Sequence, residues 1–176
     1  RRGEVYGIKP DAIEYFMQDG MELAIVYIRC SITKSYPMGN KPKTNKSARF
    51  VVLNEKGTQL IKKQVDRCKR IMMQHDKIMN TNDFIFVSPD TAKPYYLEVM
   101  NEAMRKVEAA CEIKAFPHMM RHMFATAASI ADVDGDALRD FMGHESEAMT
   151  NHYTHATKEA ALKVMRKTEA VLHKSI

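Results

Sequence analysis

His118 and Arg121 stand three residues apart in the run Phe116-Pro117-His118-Met119-Met120-Arg121-His122-Met123-Phe124, a spacing that puts both on one face of a helix. Phe141-Met142-Gly143-His144 follows, and Tyr153-Thr154-His155 begins nine residues after His144. These side chains divide chemical labour. Imidazole titrates near neutral pH and moves protons. Guanidinium is a permanent, planar cation whose fork matches paired oxygens. A tyrosine hydroxyl becomes a nucleophile once ionised, which at pH 7 costs roughly 4 kcal/mol from a reference pKa of about 10, so a cationic neighbourhood must offset it.

Each fragment alone is common, and each has a plainer reading. An isolated histidine is more often packed or solvated than catalytic. His118 and His122 could sit on zinc from one helical face, but the Glu of a His-Glu-x-x-His site is absent and no third ligand is evident. Asp132, Asp134 and Asp136 open like a calcium loop, which then fails at its sixth position, Ala137, and its twelfth, Gly143. These acids read instead as caps for a helix starting near Ala137.

Order, spacing and flanking residues together carry more than any piece. His118-x-x-Arg121-His122 on a helix, then Met142-Gly143-His144, then Tyr153, resembles the catalytic signature of the tyrosine recombinases, or phage-type integrases. Arg1-Arg2-Gly3-Glu4-Val5 resembles the second half of the family's earlier Arg motif, with Arg1 in the catalytic slot and Arg2 on the variable position. Pro42-Lys43-Thr44-Asn45-Lys46-Ser47-Ala48-Arg49 is similar to the family's lysine hairpin, which makes Lys43 the candidate. The resemblance spans essentially the whole chain and fills six slots: Arg1, Lys43, His118, Arg121, His144 and Tyr153.

The resemblance implies attack of the Tyr153 oxygen on a DNA phosphodiester, and the residue types fit that step. Negative charge builds on the non-bridging oxygens, and a unit-charge pair about 4 Å apart is worth about 4 kcal/mol at an effective dielectric near 20. Arg1 and Arg121 would clamp it. His118 suits proton transfer from Tyr153, His144 a hydrogen bond to the phosphate, and Lys43, by resemblance, protonation of the leaving 5′ oxygen. The 3′-phosphotyrosyl product conserves bond energy, so no metal, cofactor or ATP is required. His155 matches a frequent family context without a catalytic role. Lys41, Lys46 and Arg49 are expected to contact DNA, with plain solvated charge as the alternative for the two lysines.

These residues need a scaffold, which periodicity predicts to be mainly α with a small three-stranded antiparallel sheet; the resemblance implies the tyrosine recombinase catalytic fold. The chain ends one helix before a break at Pro10-Asp11, then gives apolar, β-branched strands at Leu23–Ile28 and Arg49–Leu53. Their connection holds the lysine-rich hairpin. A helix from Thr58 carries Leu60, Ile61, Val65, Cys68, Ile71 and Met72 in one stripe. Phe84–Val87 is extended, and a helix over about Tyr96 to Cys111 turns Leu97, Met100, Met104, Val107 and Cys111 inward. Helices follow at about 117 to 131, 136 to 142, 146 to 153 and 158 to 173. The last carries Ala161, Leu162, Met165, Val171 and Leu172, to be buried on its own domain or, as the resemblance allows, on a neighbouring protomer.

Composition sets the outer bounds. A 176-residue chain with 45% apolar residues supports one sizeable core. Twenty-seven Lys and Arg against twenty-two Asp and Glu give +5 and a pI near 9.1, which suits a polyanion. Cys30, Cys68 and Cys111 form no CxxC pair, against a zinc ribbon or disulfide framework. No apolar run reaches the roughly 20 residues that span a bilayer, so a soluble intracellular protein is expected, and the resemblance implies a cytoplasmic, bacterial one, nucleoid-associated when bound. It begins Arg1-Arg2-Gly3-Glu4 with Val5 and Ile8 already at helical spacing. Residues 1–176 are therefore expected to be a catalytic domain lacking its first helices and the amino-terminal DNA-binding domains.

The resemblance implies site-specific recombination on double-stranded DNA by a homotetramer on paired sites, with room for accessory DNA-bending proteins. The Pro-Lys-Thr hairpin is closer to mobile-element integrases than to the Gly-Lys-Gly hairpins of Xer-like resolvases. The alternatives are such a resolvase, with the same chemistry, and a non-catalytic DNA-binding remnant.

Overall fold

The computed structural model describes residues 1–40, 49–143 and 158–174. A short helix α1 (Arg2–Tyr6) and a single 3-10 turn at Pro10–Ala12 lead into strand β1 (Ile13–Gln18). Asp19-Gly20, both at positive φ, then reverse the chain into β2 (Met21–Ile28), the arrangement that a two-residue hairpin demands. Strand β3 (Arg49–Leu53) pairs with the other edge of β2, so the antiparallel order is β1-β2-β3. Helices α2 (Glu55–Gln74), α3 (Glu98–Cys111), α4 (Pro117–Ile130), α5 (Gly135–Met142) and α6 (Lys158–Lys174) complete the described elements.

The central strand is apolar on both faces because both faces are covered. Leu23 and Ile25, with Val52 across the register, pack on Ala161, Leu162 and Met165 of α6. Alternation turns Glu22, Ala24 and Val26 the other way, where α2 lies and Lys62 pairs with Glu22. The result is a three-layer sandwich, α2 on the sheet on α6. Helix α6 thus buries Ala161, Leu162 and Met165 of its stripe against the sheet of this chain, while Val171 and Leu172 are half-buried.

A second cluster joins Cys68, Ile71 and Met72 of α2 to Val87 and Ala92. The extended stretch 84–87 is tied by backbone bonds from Ile85 to Ile8 and from Tyr95 to Phe86. A third cluster sets Tyr6 of α1 against Ile32 and Phe84, with Leu97 and Met100 of α3 packed around it.

Two helices depart from the sequence reading. Helix α2 starts at Glu55 rather than Thr58 because the Asn54 side chain accepts from the Gly57 amide and caps it. Leu60 is 59% exposed and lies off the buried stripe, whose place there is taken by fully buried Thr58. In α3, Leu97 and Met100 do turn inward, but Val107 and Cys111 are exposed and no residue of the helix is fully buried. The third cluster covers only its first turns.

Candidate active site

Four segments distant in sequence meet at the carboxyl end of α5. That helix starts at an Asp134 cap, whose carboxylate accepts from the amides of Asp136 and Ala137; of the three acids read as caps, Asp134 makes these bonds, while Asp136 pairs with Arg139. At its other end the backbone turns through Gly143 at φ +64. The last carbonyls of a helix have no partner within it and carry the negative end of its dipole. Here three successive ones are met by three different arginines.

Arg49 Nε donates to the Phe141 carbonyl at 3.2 Å, Arg121 Nη2 to Met142 at 2.6 Å, and Arg1 Nη2 to Gly143 at 2.8 Å. Each comes from a different element. Arg121 is one turn into α4, a helix begun by Pro117 and held on α5 by Phe124 stacked 5.3 Å from Phe141. Arg1 immediately precedes α1, while its neighbour Arg2 reaches Asn101 of α3 at 2.9 Å. The helical register of α1 therefore sends Arg1, not Arg2, to the cluster.

One acid sits among these cations. Glu4, on α1 and only 7% exposed, receives both Nη atoms of Arg49, at 3.2 and 2.8 Å, in a bidentate pair. Burial alone would raise the Glu4 pKa, but hydrogen bonding to Arg49 and its charge, joined by the Arg1 amino group, bring it below the ordinary carboxylate value. The Arg1 amino group also reaches Glu4 Oε2, at 3.1 Å, whereas the guanidinium groups of Arg1 and Arg121 have no carboxylate hydrogen-bonded to them among the described residues. Burial, then repulsion from Arg1 and Arg49, pushes the Arg121 pKa down, with Glu4 acting against them. A guanidinium so placed stays charged, and an arriving anion would relieve it.

His118 is exposed on the first turn of α4, with half-buried Arg121 three residues on. Arg49, expected at DNA, is here engaged within the protein. Its side chain is 10% exposed and turns inward, where the buried Glu4 carboxylate and the Phe141 carbonyl need a cationic partner. Lys41, Lys43, Lys46, His144 and Tyr153 lie outside the described residues, as do His155 and the helix expected at 146 to 153. Glu4 is the member that sequence reading passed over. Its signal was a lone acid three residues after Arg1 amid a cationic set, but its burial was not legible.

The sequence model of the phage integrase family matches residues 11–160. The chain belongs to the phage integrase family. Lys43, His118, Arg121, His144 and Tyr153 fall inside the match, whereas Arg1 and Glu4 precede it, so their place in the cluster rests on the geometry. Among curated relatives of this family member, tyrosine recombinase XerC of Pediococcus pentosaceus is 34% identical over 93 residues, covering 52% of the chain and 31% of the relative. XerC of Pelotomaculum thermopropionicum is 37% identical over 71 residues, 40% of the chain and 22% of the relative. A tyrosine recombinase of Agathobacter rectalis is 31% identical over 83 residues, 46% of the chain and 26% of the relative. The matched stretches thus span a third or less of these relatives. No solved structure matches the chain.

Proposed function

We propose that this integrase-family chain cleaves and rejoins DNA strands through a 3′-phosphotyrosyl intermediate, in site-specific recombination. The observation that carries the reading is the convergence of Arg1 and Arg121 on consecutive carbonyls. Arg121 is half-buried and Arg1 exposed, and among the described residues the nearby acid, Glu4, is taken by Arg49 and by the Arg1 amino group rather than by either of these guanidinium groups. Such a pair fits the non-bridging oxygens of one phosphate, where charge grows as the nucleophile attacks.

In this reading the Tyr153 oxygen bonds to phosphorus as the bond from phosphorus to the 5′ oxygen breaks. His118, on the same helix as Arg121, accepts the tyrosine proton. Lys43 delivers a proton to the leaving 5′ oxygen, and His144 hydrogen-bonds the phosphate. A 5′ hydroxyl from a second strand reverses the step, and neither metal nor cofactor takes part. Lys41 and Lys46 are the proposed backbone contacts beside Lys43. Paired sites imply four copies, and the chain acts as the catalytic domain. The Pro-Lys-Thr hairpin favours a mobile-element integrase, while the name XerC carried by the Pediococcus and Pelotomaculum relatives favours a Xer-like resolvase; both use this chemistry.

The test is incubation of the protein, in the full length its gene encodes, with a pool of nicked duplexes of randomised sequence, followed by denaturing electrophoresis. A covalent protein–DNA band that forms in EDTA and disappears in Tyr153→Phe is the expected result. A band that persists in Tyr153→Phe sinks the nucleophile. No band from the natural sequence favours a DNA-binding protein without catalysis.

A further inference from the structure

Arg49 differs from the other two arginines in what holds it. Its guanidinium uses three nitrogens at once: Nη1 and Nη2 on the two oxygens of Glu4, and Nε on the Phe141 carbonyl. Its flat side lies against the turn after α5, where a Cβ added to Gly143 would come within 2.6 Å of its Cζ and Nη1 atoms. The backbone there has room for the guanidinium and little else.

These contacts make Arg49 the joint between α1 and the end of α5. Glu4 lies three residues after Arg1, and Phe141 lies one and two residues before the carbonyls that Arg121 and Arg1 cap. Whatever fixes Glu4 against Phe141 also fixes the separation of Arg1 and Arg121. A lysine at position 49 would keep the charge but present a single point in place of a planar fork, so it could not span both carboxylate oxygens and the carbonyl together.

We propose that Arg49 is a positioning residue that sets the spacing of the Arg1–Arg121 phosphate clamp and does not itself contact DNA. The proposal rests on the strand-cleavage reading of this cluster. The two roles separate experimentally. A phosphate contact contributes to affinity and to its salt dependence, and its loss lowers the salt slope by about one. A residue that spaces the clamp acts on the rate at saturating DNA, where misplacing a reacting group by about 1 Å costs up to about 100-fold.

The experiment compares the natural sequence with Arg49→Lys on a nicked duplex recovered as covalent adduct from the randomised pool. It measures the rate of adduct formation at saturating DNA, the dissociation constant at several salt concentrations, and the urea midpoint. Arg49→Lys is expected to slow adduct formation about 10- to 100-fold, with affinity and salt slope unchanged. If Arg49→Lys proves unfolded by its urea midpoint, the pair Glu4→Gln with Arg49→Gln replaces it, because it removes both buried charges together and leaves neither unmatched. The same slowing is expected of it. Weaker binding with a lower salt slope and an unchanged saturating rate would overturn the proposal in favour of a DNA contact. An unchanged rate, affinity and slope would overturn it too. Absence of adduct from the natural sequence defeats the strand-cleavage reading and this proposal with it, whereas a cleaving natural protein matched by its variants defeats this proposal alone.

Discussion

At the scale of single residues, the cluster at the end of α5 is built from one carboxylate and three guanidinium groups, and their sum is cationic. Glu4 is the group whose titration can be followed. Its pKa is lowered in the folded chain because the charge and hydrogen bonds of Arg49, together with those of the Arg1 amino group, outweigh its burial. The stabilisation this confers is complete above the unfolded carboxylate value of about 4.3. As pH falls below that value the unfolded chain takes up a proton first, and the contribution fades as pH passes through the lower folded value. Glu4→Gln leaves Arg49 buried with no carboxylate, which should cost about 3 kcal/mol or more at neutral pH. Urea unfolding of both proteins near pH 7 and in acid should show this gap wide at pH 7 and narrowing as Glu4 protonates. A gap that grows in acid would contradict the ion pair.

At the scale of elements, α5 illustrates how a short helix is made rigid from its ends. It has only eight residues, below the length at which a helix stands alone in water. Asp134 satisfies amides at its start and the three arginines satisfy carbonyls at its finish. Gly143 makes the second part work, because its positive φ turns the chain and its missing Cβ admits Arg49. Gly143→Ala should therefore lose about 1–2 kcal/mol from the backbone conformation alone, with a further loss from displacing Arg49. A variant within about 0.5 kcal/mol of the natural sequence in urea unfolding would show that this turn is not the constraint described here.

At the scale of the whole molecule, the sheet is the plate on which the site is mounted. Its central strand is covered by α2 on one face and α6 on the other, and α6 also packs on α4 and α5. The helix that closes the core is thus the one that supports the two helices bearing Arg121 and the capped carbonyls. Leu162, 8% exposed among Leu23, Ile25 and Val52, is the natural probe of that role. Leu162→Ala should cost about 2–5 kcal/mol, measured by urea unfolding. A loss under about 1 kcal/mol would mean that α6 leaves this face readily, as packing on another protomer would require.

The sequence by itself determined a good deal. Alternation and turn chemistry located β2 and β3, 3.6-residue periodicity located α4, α5 and α6 to within about two residues, and the Asp134 cap was legible as Asp before a helix. The spacing of His118, Arg121, His144 and Tyr153 named the family, because those positions answer to local chemistry and helical repeat. Strand β1 was not located in advance, since Ile13–Gln18 is half exposed and mixes polar with apolar residues. The outward turn of Leu60 and of Val107 could not be read either, because a periodic stripe says which residues share a face and not how far a neighbour covers it. The same limit governed the site. Arg49 looked like one more basic residue beside a lysine hairpin, and Glu4 like a bystander. Only the fold, by bringing residues 4, 49 and 141 into contact, decided that this arginine is paired with a carboxylate inside the protein while the guanidinium groups of Arg1 and Arg121 meet backbone carbonyls. Charge is a property of a sequence; which charges cancel depends on distances that only packing sets.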